Sequence, residues 1–210
     1  QPLGCGIMAG ATTCTIHDKT VEVSPTSCFE SFEPSMSQLQ IIHMSSPIVH
    51  IQDDHCLCDN TSIINLKTMQ VTHQVRESVT RFCTYQGTLY TSSPHNVYNE
   101  ETHEAYSFVS KIINVSVVHT TMYVVTDISV YCYGRGMRPE ADKHLAVPHK
   151  IVGATPMRMH LLLACEAGIV YSVKNKAYKQ LESPHTADVI DIDAFDEQAI
   201  LCYERTLASL

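Results

Sequence analysis

An all-β fold assembled from repeated four-stranded antiparallel units is the class this sequence predicts, and three observations carry the expectation. Apolar residues alternate with period two over short runs. Asp, Asn, Thr and Gly punctuate the runs. The whole pattern recurs along the chain at offsets of 33 to 41 residues. The clearest unit is 46–75. There Ile48-Val49-His50-Ile51, His55-Cys56-Leu57-Cys58, Ser62-Ile63-Ile64-Asn65-Leu66 and Gln70-Val71-Thr72-His73-Gln74-Val75 surround an Asp59-Asn60-Thr61 turn. Four short strands in about 30 residues make a meander that cannot bury both faces alone, so it must stack on copies of itself or on another layer.

Taken in order, the first unit places strands at 5–9, 13–17, 21–23 and 38–43. Its turn, Asp18-Lys19-Thr20, uses residues whose side chains bond the neighbouring backbone, and Asp59 repeats it 41 residues later. A loop at 24–37 carries Pro25 and Pro34. The third unit alternates at 79–83, 88–91, 95–98 and 104–108, and the fourth at 113–117, 122–125 and 128–132, with a turn at Thr126-Asp127. A polar insertion, 134–143, reads as a projecting loop before the fourth strand of that unit. The fifth unit has 150–154, the continuous apolar run 160–165, a turn at Gly168, then 169–173 and 177–181. The sixth has 189–193, 199–203 and 206–208, and is incomplete. The approximate unit boundaries are 1–44, 45–75, 76–109, 110–147, 148–182 and 183–210. No long helical periodicity competes; the nearest stretch, 100–109, is short and rich in Tyr, Ser and Phe.

Units of this length with four strands are the signature of a β-propeller, about six blades being visible here and seven compatible with a full ring. Asp18-Lys19-Thr20-Val21-Glu22-Val23 resembles the second-to-third-strand segment of a WD40 repeat, and Cys58-Asp59-Asn60-Thr61-Ser62-Ile63-Ile64-Asn65-Leu66 is similar to the same segment. The chain has no Trp, so the Trp-Asp pair is absent, and no Gly-His pair opens a unit. The hydrogen-bond network those residues form in that family is therefore not carried over. Short strands at even spacing also suit a β-sandwich, which stays open as the alternative.

Composition narrows the function classes. Net charge is −8 with only 14 Lys and Arg, which argues against phosphate-backbone binding and hence nucleic acid. The longest apolar run, 161–165, is too short to span a bilayer, and no secretory hydrophobic region opens the chain. Nine cysteines without framework spacing read as free thiols, which with the missing leader predicts a cytoplasmic protein. The two glycosylation sequons, at Asn60 and Asn114, read as chance matches in a turn and a strand.

The residues that could carry chemistry are scattered. Cys14, Cys56, Cys58, Cys165 and Cys202 fall on predicted second strands, where small buried side chains pack well. A metal reading of His55-Cys56-Leu57-Cys58 meets an obstacle: alternation turns both thiols to one face and His55 to the other, and one intervening residue is short for zinc. The twelve histidines show no His-Glu-x-x-His pairing, and no Gly-x-Ser-x-Gly elbow exists. No metal, cofactor or catalytic set is expected. Two features remain for partner contacts. Asp191 and Asp193 share a face opposite Ile190 and Ile192, within an acidic run of Asp188, Asp191, Asp193, Asp196 and Glu197 suited to a basic partner. If theirs is the innermost strand of a blade, they face the central channel or its rim. Arg135 and Arg138 lie in the polar insertion.

These observations predict a non-catalytic scaffold that binds other proteins within a multi-subunit assembly, since rigid propellers present loops on two faces and a rim. A second reading is the substrate- or regulator-binding module of a multidomain enzyme of ubiquitin-ligase or kinase type. A propeller hydrolase using channel carboxylates is the third.

Overall fold

The computed structural model describes residues 46–76, 78–182, 187–195 and 198–203, together with strands at 13–16, 40–43 and 207–209. The chain divides into two compact units, Gln1–Thr80 and Arg81–Leu210.

In the first unit, β1 (Thr13–Ile16) and β2 (Gln40–His43) pair antiparallel, Thr13 opposite His43. The strands expected at 5–9 and 21–23 lie outside the described residues, as does the loop 24–37. The second sheet is the predicted meander: β3 (Ile48–Gln52), β4 (His55–Cys58), β5 (Ser62–Asn65) and β6 (Gln70–Gln74), paired in chain order. Asp59 (φ 49°) and Asn60 (φ 56°) turn the chain in the left-handed region, which Asp and Asn tolerate better than other side chains. Cys56, Leu57 and Cys58 bury the middle of the sheet, while β6 is exposed along its whole length.

The second unit holds four more sheets, each also paired in chain order. The first comprises β7 (Arg81–Tyr85), β8 (Thr88–Ser92), β9 (Asn96–Asn99) and β10 (Ala105–Ser107). The next has β11 (Ile112–Val118), β12 (Thr121–Thr126), β13 (Ser129–Tyr133) and β14 (Lys143–Ala146). Then come β15 (Ile151–Met157), β16 (His160–Cys165), β17 (Val170–Lys174) and β18 (Ala177–Leu181). The last sheet has three strands: β19 (Val189–Phe195), β20 (Gln198–Tyr203) and β21 (Leu207–Ser209). Successive self-contained meanders of this kind are propeller blades; a sandwich would interleave its strands between two sheets, so that alternative is set aside. The expected Gly168 turn is a single 3₁₀ turn, Glu166–Gly168, in which Ala167 (φ 59°) and Gly168 (φ 72°) are both left-handed. No helix among the described residues is long and apolar enough to cross a membrane.

Sheets in this unit stack face to face, and the second strands show how. Tyr123 and Val125 of β12 pack with Leu161 and Leu163 of β16, while Met122 and Val124 face the other way, toward Tyr90 and Val97. On β16, Leu162 and Ala164 turn from Leu163 to meet Ile192, Ala199 and Leu201 of the last sheet. A strand covered on both faces has no polar side, which accounts for the unbroken Leu161-Leu162-Leu163-Ala164-Cys165 run. Each such Leu contributes about 1.5–3 kcal/mol by leaving water.

First strands share a second feature. The register shifts between Ile48 and His50, Ile112 and Asn114, Ile151 and Gly153, and Val189 and Asp191. Each shift is a bulge that inserts one extra residue and bends the strand. It corrects one detail of the sequence reading: Ile190 is the bulged residue and is 55% exposed, whereas Ile192 is 4% exposed in the core, so the two do not share a setting. Pro156 is accommodated because β15 is the edge of its sheet, where a missing N–H costs no ladder bond.

Leu163→Ala is expected to destabilise the chain by about 2–5 kcal/mol in equilibrium urea unfolding, whereas Ile128→Ser at an exposed position should stay within about 0.5 kcal/mol. Equal effects would contradict the stacking described.

Candidate functional site

Past their bulges, β11, β15 and β19 each carry two small or polar residues at alternate positions: Asn114 and Ser116, Gly153 and Thr155, and Asp191 and Asp193. Asn114 Nδ2 donates to the Ala154 carbonyl of β15. Thr155 Oγ1 donates to Asp193 Oδ1 at 3.3 Å. Gly153 sits tightly against β19: a Cβ there would lie 3.1 Å from Asp191 Oδ1 and 3.2 Å from the Ile192 amide nitrogen, so β19 would have to give by a few tenths of an ångström to admit one. The row thus ties three consecutive sheets together at their first strands. It is not fully satisfied, since Asn114 Oδ1 and Ser116 Oγ are buried without a hydrogen-bond partner among the described residues. An orphaned buried acceptor costs about 1–3 kcal/mol, so these oxygens keep unspent bonding capacity at the inner edge.

Charge is concentrated at one end of the row. Burial is the main influence on Asp193 and pushes its pKa up to about 6; the Asp191 charge adds to the rise, while the Ala194 amide and Thr155 hydroxyl oppose it. Asp191 is exposed as a residue, but its carboxyl lies against the β15 backbone at Gly153. That desolvation raises its pKa, and the Ile192 amide, 2.8 Å from Oδ1, and the charge of Arg81 pull it down. Arg81, on β7, is itself lowered by burial, with Asp191 acting in the opposite sense. A cation on the first sheet of the unit therefore lies within electrostatic reach of a carboxylate on the fourth.

The sequence places two residue pairs at partner contacts, and the fold treats them differently. Asp191 and Asp193 do share a face on a first strand, as expected. Asp188 accepts from the Ala167 amide at 2.7 Å, and Asp196 and Glu197 lie outside the described residues. Arg135 is exposed at the tip of the insertion between β13 and β14. Arg138 folds that insertion: its guanidinium pairs with Asp142 and its Nε donates to the Glu140 carbonyl at 3.1 Å. Asp142 also accepts from the Gly134 amide at 2.6 Å and lies 3.5 Å from Lys176 Nζ. Arg81, Asn114 and Thr155 were not singled out in the sequence. A signal for them exists: Ile112-Ile113-Asn114-Val115-Ser116, Ile151-Val152-Gly153-Ala154-Thr155 and Val189-Ile190-Asp191-Ile192-Asp193 repeat two β-branched residues and then alternate inner-edge positions with core ones.

Other chemistry-bearing groups are engaged locally. Cys56 and Cys58 share a buried face with sulfurs 3.6 Å apart, while His55 Nε2 meets Asn65 Nδ2 at 3.3 Å. Six cysteines among the described residues are free thiols, and burial raises Cys132 to about 11 and Cys165 to about 12, which makes them poor nucleophiles. His144 with Ser129 (2.9 Å) and His160 with Ser172 (2.8 Å) are cross-strand pairs; neither histidine is hydrogen-bonded to a carboxylate among the described residues. No group of three or more His, Cys, Asp or Glu among the described residues is arranged to hold a metal ion. The Asn114 sequon is buried.

A scan against protein-family models and a search of curated proteins found no match. Solved structures do resemble the chain. A chain in the structure of BBS1N in complex with ARL6DN matches 74% of it at 12% identity and a TM-score of 0.56, over 55% of that chain. BamB from Moraxella catarrhalis matches 77% at 12% identity and a TM-score of 0.51, over 55% of its own chain. PorZ, a surface component of the type-IX secretion system of Porphyromonas gingivalis, matches 78% at 15% identity and a TM-score of 0.56, over 24% of its chain. The chain thus spans about half the length of two of these proteins and a quarter of the third. At these identities the likeness shows the fold alone, that of β-propeller-like proteins.

The raised pKa of Asp193 sets a pH signature. The folded protein holds this proton more tightly than the unfolded chain, so the contribution to stability is full below about pH 4 and is lost as pH rises through about 6. Asp193→Asn keeps the Oδ1 acceptor and carries no charge. It should be more stable than the parent by about 1–3 kcal/mol above pH 7, with a flatter slope between about pH 4 and 6, in urea unfolding across a pH series. An unchanged slope would contradict the assignment.

Proposed function

We propose that this chain is a non-catalytic protein-interaction scaffold of the WD40-like propeller kind, acting in the cytoplasm within a multi-subunit assembly. The supporting observation is how its polar groups are used. The inner-edge residues with unusual electrostatics hold sheets together, Asp193 through Thr155 and Asn114 through the Ala154 backbone, rather than converging on a reacting centre. Arg135 is left exposed on a braced loop, and Asp191 is an exposed residue of the edge strand β19 whose carboxyl rests against β15. Such a distribution suits recognition by a rigid frame. In this reading Arg135 and Asp191 make the partner contacts, while Arg138 and Asp193 hold the loop and the strand in place. The free buried thiols fit a reducing compartment.

The reading is tested by affinity capture with the chain and its variants, scored by quantitative mass spectrometry. Arg135→Glu reverses an exposed charge without touching the core, so its melting temperature should match the parent. Recovery of at least one partner should fall about tenfold, with a weaker salt dependence. Partners recovered unchanged by both Arg135→Glu and Asp191→Asn would remove these residues from the contact surface.

A further inference from the structure

Beside the outer strand β10, toward β13 and β14 of the next sheet, lies an open groove of about 720 Å³ lined by Glu104, Tyr106, Phe108, Tyr131, Glu140 and His144. Its floor is aromatic. Phe108 meets Tyr131 edge-on with ring centroids 5.0 Å apart, and Tyr131 stacks on His144 at 4.6 Å and 15°. Its lip is acidic. Glu104 Oε2 accepts from the Tyr106 hydroxyl at 2.9 Å and from Thr102 Oγ1 at 3.0 Å, which holds the carboxylate in place and leaves Oε1 outside those bonds. The exposed Glu140 stands on the other side, at the end of the braced insertion. Arg138 of that insertion is committed to Asp142.

One edge of the groove is also an open sheet edge. Among the described residues β10 pairs only with β9, so its outer backbone groups face away from the sheet. Ala105-Tyr106-Ser107 carries no charge to deter an added strand, and the adjacent Val109 is 99% exposed.

We infer that this groove binds an arginine-bearing extended segment of a partner protein. A guanidinium is planar and weakly hydrated, so it lies flat on aromatic rings while its N–H groups reach carboxylates at the side. The carboxylates of Glu104 and Glu140 and the rings of Phe108, Tyr131 and His144, which line the same groove, supply both halves of that recognition. The segment's backbone runs along β10 and adds a strand to the sheet. Lysine satisfies the carboxylates but stacks less well, and an acidic segment is repelled. The inference rests on the scaffold reading and names the chemistry of one partner contact.

The test is selection of a displayed library of random nonapeptides on the purified chain, followed by fluorescence anisotropy of the enriched peptides. Enriched sequences should share one arginine among β-forming residues. Replacing that arginine by citrulline should weaken binding about tenfold or more, as should the double variant Glu104→Gln with Glu140→Gln. Val109→Arg, at a site too exposed to disturb folding, should weaken it by a similar factor through charge repulsion and blockage. Failure to enrich any peptide, or binding indifferent to all three variants, overturns the inference. Arginine-free peptides that still depend on Val109 overturn the arginine assignment. In each of these cases partners captured through Arg135 leave the scaffold reading standing, and their absence as well removes it.

Discussion

Burial of the second strand of each central sheet on both faces is the constraint on which the rest of the second unit depends. β12 and β16 send alternate residues into different apolar clusters, so each sheet is wedged between two others. A sheet with no polar face is stable only while both neighbours are present, and this makes the stack a cooperative object rather than a string of hairpins. The outer strands sit at the far end of this gradient. β18 is exposed along most of its length, and β10 carries only one residue that is not exposed. The exposed outer strands are therefore carried on a frame whose burial lies elsewhere.

The inner edge shows the cost of stacking sheets by their first strands. These strands come close enough that a side chain at Gly153 would press on β19, and Asn114 and the Thr155–Asp193 pair bond across the gap. Burying carboxylates there raises their pKa, and Arg81 offsets part of the penalty at Asp191. The acidic pair read from the sequence is, in the fold, packed between first strands, with Asp193 bonded to Thr155. The aromatic groove differs in kind, because its carboxylates are exposed and one of them is fixed by a tyrosine.

Much of the architecture was legible in the residues. Period-two alternation and turn residues placed β3 to β13 and β15 to β20 to within a few residues, β14 being expected after the insertion without bounds, and the 160–165 run announced a strand covered on both faces. The bulges were not legible. Nothing in Val189-Ile190-Asp191-Ile192-Asp193 distinguishes an extra residue from regular alternation until the partner strand's register is known, which is why the sequence reads Ile190 and Ile192 as sharing the face opposite Asp191 and Asp193. The role of Arg138 was hidden for a related reason: its partner, Asp142, is four residues away across a loop whose path the sequence does not specify. The groove was invisible because Phe108 and Tyr131 meet only when two sheets stack.

Native-state hydrogen exchange resolved by strand tests the stacking account most directly. The account predicts a protection gradient: amides of β12 and β16 exchange slowest and together, at the free energy of global unfolding, while β10, β14 and β18 exchange by local opening far sooner. Outer strands as protected as β12 and β16, or β16 amides released by opening of their own sheet alone, would contradict it.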